Sequence, residues 1–314
     1  MKSLIKIGTR SSKLALYQAE VVRTKLKSLF PLLEFEFVKI HTKGDMIRHQ
    51  AIGTMGPGIF THEIEVALLE KKIDIAVHSA KDLATELPEG LVLGAVLTRE
   101  DPRDCLVARE GQTLDKLARG ARIGTSSLRR RAQLRKLRHD LEIIEMRGNV
   151  DTRLKKIEQG EYDGMVIAYA GLKRLGLTNF VTQIFEEEIF LPQAGQGALA
   201  VEIRKDALEI EELLRPINHE PTLKRVSAER SFLKRLEGGC QIPVGVASKI
   251  EADTLTLKGA IFSLEGDQEV SNTASGLASG SERIGTDLAE KLLQAGGAEI
   301  LKAVRQEVGS KKNV

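Results

Sequence analysis

Short apolar runs alternate with stretches of helical period through the first two-thirds of the chain. Ile5-Lys6-Ile7 alternates as a strand does, residues 14–29 repeat their apolar positions every three to four residues, and Phe35-Glu36-Phe37-Val38-Lys39-Ile40 returns to a period of two. Further strands are predicted at residues 74–78, 91–96, 106–108, 141–144 and 164–168, most of them separated by helices of useful length. This βα alternation predicts an α/β architecture of mixed sheets covered by helices. After Pro216 the texture changes to a helical stretch at 220–236, alternating strand patterns such as Leu255-Thr256-Leu257-Lys258-Gly259-Ala260-Ile261-Phe262, and an amphipathic helix over 282–293. A small α+β unit is expected there, closed by a polar tail at 309–314 that is expected to be disordered.

Two pairs of segments echo one another. Ile7-Gly8-Thr9-Arg10-Ser11-Ser12 resembles Ile123-Gly124-Thr125-Ser126-Ser127-Leu128, each ending a strand and opening a helix, and residues 74–80 resemble residues 163–170 in the same order. The repeat predicts two lobes of one plan that face each other across a cleft, with hydroxyls and backbone N–H groups at helix N-termini that favour an anion. Serine and threonine are also the ordinary helix caps, so each Gly-Thr-Ser segment alone serves either purpose. Gly195 and Gly197 fit a return crossing between the lobes or an ordinary turn before a strand.

With 314 residues, two or three domains are expected, and 42% hydrophobic with 29% charged residues is a globular balance. No apolar run approaches the length that spans a bilayer, and the N-terminal segment is too short and too charged for a signal peptide, so a cytoplasmic location is expected. Two cysteines far apart exclude a disulfide framework, and the six histidines have no metal-binding spacing, so no metal is expected. Net charge is only +3, but seven arginines fall within residues 119–138. With no tryptophan and 4% aromatics, the stacking platforms of nucleic-acid binders are missing, and a small polyanion fits better than nucleic acid.

Arginine's planar fork matches a carboxylate with two hydrogen bonds and keeps its charge, so Arg10, Arg129, Arg130, Arg147 and Arg153 together suit a ligand with several carboxylates. His78-Ser79-Ala80-Lys81-Asp82 follows an apolar strand, which makes Asp82 the leading acid/base candidate, with a surface Lys81–Asp82 ion pair as the competing account. Cys240 sits in Glu237-Gly238-Gly239-Cys240-Gln241-Ile242-Pro243, where glycines allow close approach. A covalent attachment point and a small packed residue both fit. The glycine-rich stretch 43–58 reads as a mobile lid and lacks the GxGxxG spacing of a dinucleotide fingerprint.

Taken in order, Gly8-Thr9-Arg10, His78-Ser79-Ala80-Lys81-Asp82, Gly124-Thr125-Ser126-Ser127-Leu128-Arg129-Arg130, Arg147-Gly148-Asn149-Val150, Ala170-Gly171-Leu172-Lys173-Arg174-Leu175-Gly176 and Glu237-Gly238-Gly239-Cys240 resemble the hydroxymethylbilane synthase (porphobilinogen deaminase) family across nearly the whole chain. The resemblance implies a transferase of tetrapyrrole biosynthesis. Four porphobilinogen molecules would be condensed, with loss of ammonia, onto a dipyrromethane cofactor joined to Cys240 through a thioether, and water would release linear hydroxymethylbilane.

By the same resemblance Asp82 is catalytic and, with Cys240, Lys81, Ser127, Arg129 and Arg130, contacts the cofactor. Arg10, Ser12, Ser79, Arg147, Arg153 and Arg174 would bind the carboxylates of porphobilinogen and the growing polypyrrole chain. The implied fold is two periplasmic-binding-protein-like lobes, residues 1–98 with 198–216 and residues 99–197, plus a C-terminal α+β domain at 217–314 that carries the cysteine. A monomer without nucleic-acid or membrane partners is expected. Met55-Gly56-Pro57-Gly58 departs from the family's lid, where a lysine is common, so no lid lysine is carried over. The alternative is a non-catalytic two-lobed binder of small polycarboxylates, which leaves Asp82 and Cys240 without roles.

Overall fold

The computed structural model of the protein describes residues 3–46, 58–237 and 242–310. The chain begins with β1 (Leu4–Thr9), α1 (Lys13–Leu29), β2 (Glu34–Lys39), α2 (Lys43–Met46), α3 (His62–Leu69), β3 (Ile75–Ser79) and β4 (Leu91–Val96). It continues through β5 (Asp104–Ala108), β6 (Arg122–Gly124), α4 (Leu128–Leu137), β7 (Glu142–Ile144), α5 (Val150–Glu158), β8 (Gly164–Ala168), α6 (Tyr169–Arg174) and β9 (Gln183–Ile184). Then follow β10 (Leu199–Arg204), α7 (Leu208–Leu214), α8 (Glu220–Arg235), β11 (Val244–Glu251), β12 (Thr254–Phe262), β13 (Glu269–Leu277), α9 (Ser281–Leu292) and α10 (Ala298–Ser310).

These strands form two five-stranded mixed sheets of matching plan, β2-β1-β3-β10-β4 and β7-β6-β8-β5-β9. In the first, β1 runs parallel to β2 and β3 while β10 is antiparallel to β3 and β4. In the second, β6 runs parallel to β7 and β8 while β5 is antiparallel to β8 and β9. The sequence echo thus corresponds to β1–α1 and β6–α4, and the echoed segments after it to β3 and β8. The strand inserted fourth comes late in the first sheet and early in the second, so the chain passes between the sheets twice, after β4 and before β10.

Local patterning explains the elements. Ile5 and Ile7 are buried and Lys6 is exposed, as alternation requires, whereas all five residues of β8 are buried because that strand is covered on both faces. The edge strand β2 carries Glu34, Glu36 and Lys39, charges that discourage further pairing. The third unit lays α8 and α9 against the antiparallel β11-β12-β13 sheet around Phe232, Leu257 and Leu288, all fully buried.

One expectation fails at the C-terminus. Residues 309 and 310 belong to α10, whose Ile300, Leu301 and Val304 are buried in the third unit's core, so the helix is fixed by an apolar face that the polar tail obscured. Residues 311–314 lie outside the described residues, as does the 47–57 portion of the expected lid.

Candidate active site

The first lobe contributes the end of β3. Beyond Ser79 the chain turns through a short 3-10 segment, Ala80–Asp82, which leaves Lys81 and Asp82 half-buried at the strand's C-terminal edge. The turn rests on Gly195. A Cβ there would lie 3.0 Å from the backbone of Ala80 and Lys81, and its φ of +73° suits only glycine comfortably. Two residues on, at Gly197 with φ +85°, a Cβ would meet the carbonyl oxygen of Glu100 at 2.3 Å. The two glycines therefore mark a tight crossing where the returning chain lies against the outgoing one.

The crossing is tied to the third unit through a buried ion pair. Arg99 Nη2 donates to Glu229 Oε2 at 3.0 Å, Arg99 Nε donates to the Gln196 carbonyl at 2.8 Å, and Gly195 N donates to Glu229 Oε2 at 2.7 Å. Ser248 on β11 adds its hydroxyl to the same carboxylate.

The second lobe contributes cations. Ser127 caps α4, its hydroxyl accepting from Arg130 N at 3.4 Å, just as Ser12 caps α1 by accepting from Ala15 N at 3.3 Å. Within the first turn of α4 the two arginines converge on Asp104, which is fully buried in β5. Arg129 Nη1 donates to Asp104 Oδ2 at 2.6 Å and to the Leu191 carbonyl at 2.6 Å. Arg130 donates to Asp104 Oδ1 from Nε at 3.0 Å and from Nη2 at 2.7 Å. Gln196 Nε2 completes the shell at 3.0 Å. Burial alone would raise the Asp104 carboxyl, but the two guanidiniums hold it well below the usual carboxylate range.

Around this anchor the positive charges crowd one another. Burial and then the nearby Arg130 lower the Lys81 ammonium to about 8, against the opposing pull of Asp82 and Asp104, and its Nζ reaches Gln196 Oε1 at 3.2 Å. Burial, with Arg130 and Arg147 beside it, lowers Arg153 to about 10. Arg147 Nη2 is buried without a hydrogen-bond partner, while its Nε donates to Glu145 at 2.8 Å. Lys81, Asp82, Arg129, Arg130, Arg147 and Arg153 thus form one connected electrostatic group that a ligand with several carboxylates would complete.

The other expected residues sit around it. Arg10 follows β1, and its guanidinium lies over the Phe60 ring at 4.4 Å. Ser79 closes β3. Arg174 at the end of α6 donates to the Gly197 carbonyl at 2.6 Å, and burial lowers its basicity. Lys13 and Asp151, in the first turns of α1 and α5, pair at 2.7 Å across the mouth between the lobes. Cys240 lies outside the described residues. The other thiol, Cys105 in β5, is fully buried, and burial followed by the charge of Asp104 pushes it up to about 12, far from a nucleophile.

Asp104, Gln196 and Glu229 escaped the sequence reading. A charge at the head of the apolar strand Asp104-Cys105-Leu106-Val107-Ala108 was the available signal for the first. Among the described residues no cluster of three or more histidine, cysteine or carboxylate side chains could hold a metal ion.

A family model described as the porphobilinogen deaminase dipyromethane cofactor binding domain matches residues 5–212, and one described as the C-terminal domain of porphobilinogen deaminase matches residues 223–294. Relatives named porphobilinogen deaminase include those of Pelotomaculum thermopropionicum, 50% identical over 98% of this chain and 99% of that protein, and Carboxydothermus hydrogenoformans, 46% identical with the same coverage. That of Geobacter sulfurreducens is 47% identical over 99% of this chain and 98% of that protein.

Proposed function

The chain belongs to the porphobilinogen deaminase family, and from that premise we propose how its residues divide the work. The enzyme is a transferase of porphyrin and heme biosynthesis that uses a dipyrromethane cofactor to convert porphobilinogen into hydroxymethylbilane. Its lobes would comprise residues 1–98 with 198–216 and residues 99–197, and its third domain residues 217–314.

The cleft fits a polycarboxylate pyrrole chain. The carrying observation is the crowded positive group of Lys81, Arg130, Arg147 and Arg153, in which Arg147 Nη2 is buried without a hydrogen-bond partner and burial, with the neighbouring guanidiniums, lowers the basicity of Lys81 and Arg153. Each pyrrole brings an acetate and a propionate, the anions such a group lacks. When bound, the dipyrromethane supplies the free pyrrole α-carbon to which new units are added.

Cys240 is assigned as its thioether anchor. Lys81, Ser127, Arg129 and Arg130 would hold its carboxylates, the two arginines being fixed by Asp104. Arg10, Ser12, Ser79, Arg147, Arg153 and Arg174 receive the carboxylates of incoming porphobilinogen and of the growing chain. Asp82 accepts hydrogen bonds from pyrrole N–H groups and stabilises the positive charge that develops as the aminomethyl C–N bond breaks and ammonia leaves. The same carboxylate would take up the proton that the α-carbon releases on forming the new C–C bond.

No helix among the described residues is long and apolar enough to cross a membrane. A cytoplasmic protein acting without nucleic acid is the reading that composition supports, with a monomer as the default.

Intact mass of the purified protein before and after porphobilinogen, with Cys240→Ser alongside, tests this assignment. A dipyrrole adduct that gains pyrrole increments in the parent and is absent from Cys240→Ser is the expected result. A parent that stays unmodified even after reconstitution with porphobilinogen would overturn it in favour of a non-catalytic polycarboxylate binder.

A further inference from the structure

Behind the cleft, on the face of the first sheet that packs against α3 and α8, lies a group of buried ionisable side chains that the reaction described above leaves unused. In the antiparallel register of β3 and β10, Ala200 stands opposite His78 and Glu202 opposite Ala76. His78 and Glu202 are therefore diagonal neighbours on one face. Their side chains are 4% and 0% exposed, and His78 Nε2 lies 3.2 Å from Glu202 Oε2. Glu65, reaching in from α3, is 4% exposed.

Neither carboxylate oxygen of Glu202 makes a hydrogen bond among the described residues, and Glu65 Oε1 makes none either. Burial raises the Glu65 carboxyl, and Glu202 adds to that effect, against Thr61, His78 and His62. A buried carboxylate without hydrogen bonds, as Glu202 is, is costly, so its retention beside His78 and Glu65 calls for a compensating role.

A fourth member lies beside them. Arg230 on α8 feels the charge of Glu202, and its Nη2 donates to the carbonyls of Ala84 at 2.6 Å and Thr85 at 3.1 Å. The turn carrying Lys81 and Asp82 is thus bracketed. His78, in contact with Glu202, stands four residues before Asp82, and Arg230, which feels the Glu202 charge, grips the backbone two and three residues after it.

We propose that Glu202 is a positioning residue for the reaction, holding the Lys81–Asp82 turn through His78 on one side and Arg230 on the other. The inference rests on the assignment of Asp82 made above. The cations that bind carboxylates sit mainly on α4, α5 and the segment before α5, so loosening this turn misaims the acid while leaving most of the binding group in place. A misplacement of about 1 Å at a reacting group costs about a hundredfold in rate.

The test is steady-state kinetics on cofactor-loaded enzyme, with loading fixed by intact mass, for the parent, Glu202→Gln, His78→Gln and the double variant. Glu202→Gln keeps the shape and removes the charge. Its kcat per loaded enzyme is expected to fall at least about tenfold with KM within about twofold, and adding His78→Gln to it should cost at most about twofold more, since neighbours acting as one unit are not additive. A purely structural role would reduce the loaded fraction and leave kcat per loaded enzyme unchanged.

The proposal is overturned by a Glu202→Gln kcat within twofold of the parent, by a rise in KM alone, or by effects of the two substitutions that simply multiply. If Glu202→Gln does not load, His78→Gln is read by the same criteria for kcat and KM. A parent that fails to turn over porphobilinogen would instead sink the assigned activity, which keeps the two failures apart.

Discussion

The β1–α1 and β6–α4 corners begin alike and end in different chemistry. Each runs from a strand through a threonine into a serine that caps the following helix. In the first lobe the cation of the corner, Arg10, precedes the cap and lies on an aromatic ring. In the second the cations follow the cap on the helix itself and are locked to a buried acid. The strands paired beside β1 and β6 diverge further: β3 opens into Lys81 and Asp82, whereas β8 opens into the uncharged Tyr169-Ala170-Gly171. One frame used twice has yielded one lobe that carries the proposed acid and one that carries fixed charge. A folding frame and its chemistry can therefore be varied independently, since caps and strand pairing set the first and a few residues at strand ends set the second.

If the acid belongs to the first lobe alone, Asp82→Ala should lower kcat by about 10²- to 10⁴-fold with the secondary structure retained, because the buried carboxylate of the second lobe, Asp104, is held by Arg129 and Arg130. Turnover near the parent's, measured on loaded enzyme, would break the comparison.

On the other side, Asp104→Asn leaves two buried guanidiniums without their anion. It should destabilise the protein by about 3–5 kcal/mol, read as a lower denaturant midpoint, and an unchanged midpoint would show that the second lobe's cations are not anchored as described.

A smaller effect sharpens the boundary between the lobes at Lys81, whose ammonium belongs to the first lobe but is lowered to about 8 by burial and by Arg130 of the second. A depressed ammonium is charged below that value and neutral above it. The carboxylate binding it provides is therefore present at pH 7 and lost as pH rises through about 8. On the alkaline side kcat/KM should fall by up to about tenfold per pH unit, and Lys81→Arg should move that limb upward because guanidinium keeps its charge. A limb that does not move would remove Lys81 from the binding group.

The sequence made the frame readable because caps, alternation and helical period are local. The helical period of residues 220–236 becomes α8, which ends at Arg235, while the 7–12 and 123–128 echoes mark the two corners. What escaped depends on partners far along the chain. Asp104 is joined to Arg129 and Arg130 about 25 residues away and to Gln196 on the return crossing, and nothing near it in sequence announces those bonds. The site residues were legible as types and spacing, but not the difference between Arg129, 3% exposed and turned to Asp104 and Leu191, and Arg147, half-buried with an Nη2 that makes no hydrogen bond. Helix α10 was lost behind a polar end although Ile300, Leu301 and Val304 carry an apolar face.

The burial of Cys105 has an analytical use. The chain holds two thiols, and the one in β5 is fully buried with its sulfur pushed up to about 12, so an alkylating reagent at neutral pH finds almost no thiolate there while the fold stands. Any label taken up by the native protein therefore counts Cys240 alone. The same titration after unfolding adds Cys105, one sulfur per molecule that calibrates the count, and the shortfall of the native reading below one per molecule gives the fraction whose second sulfur is already capped.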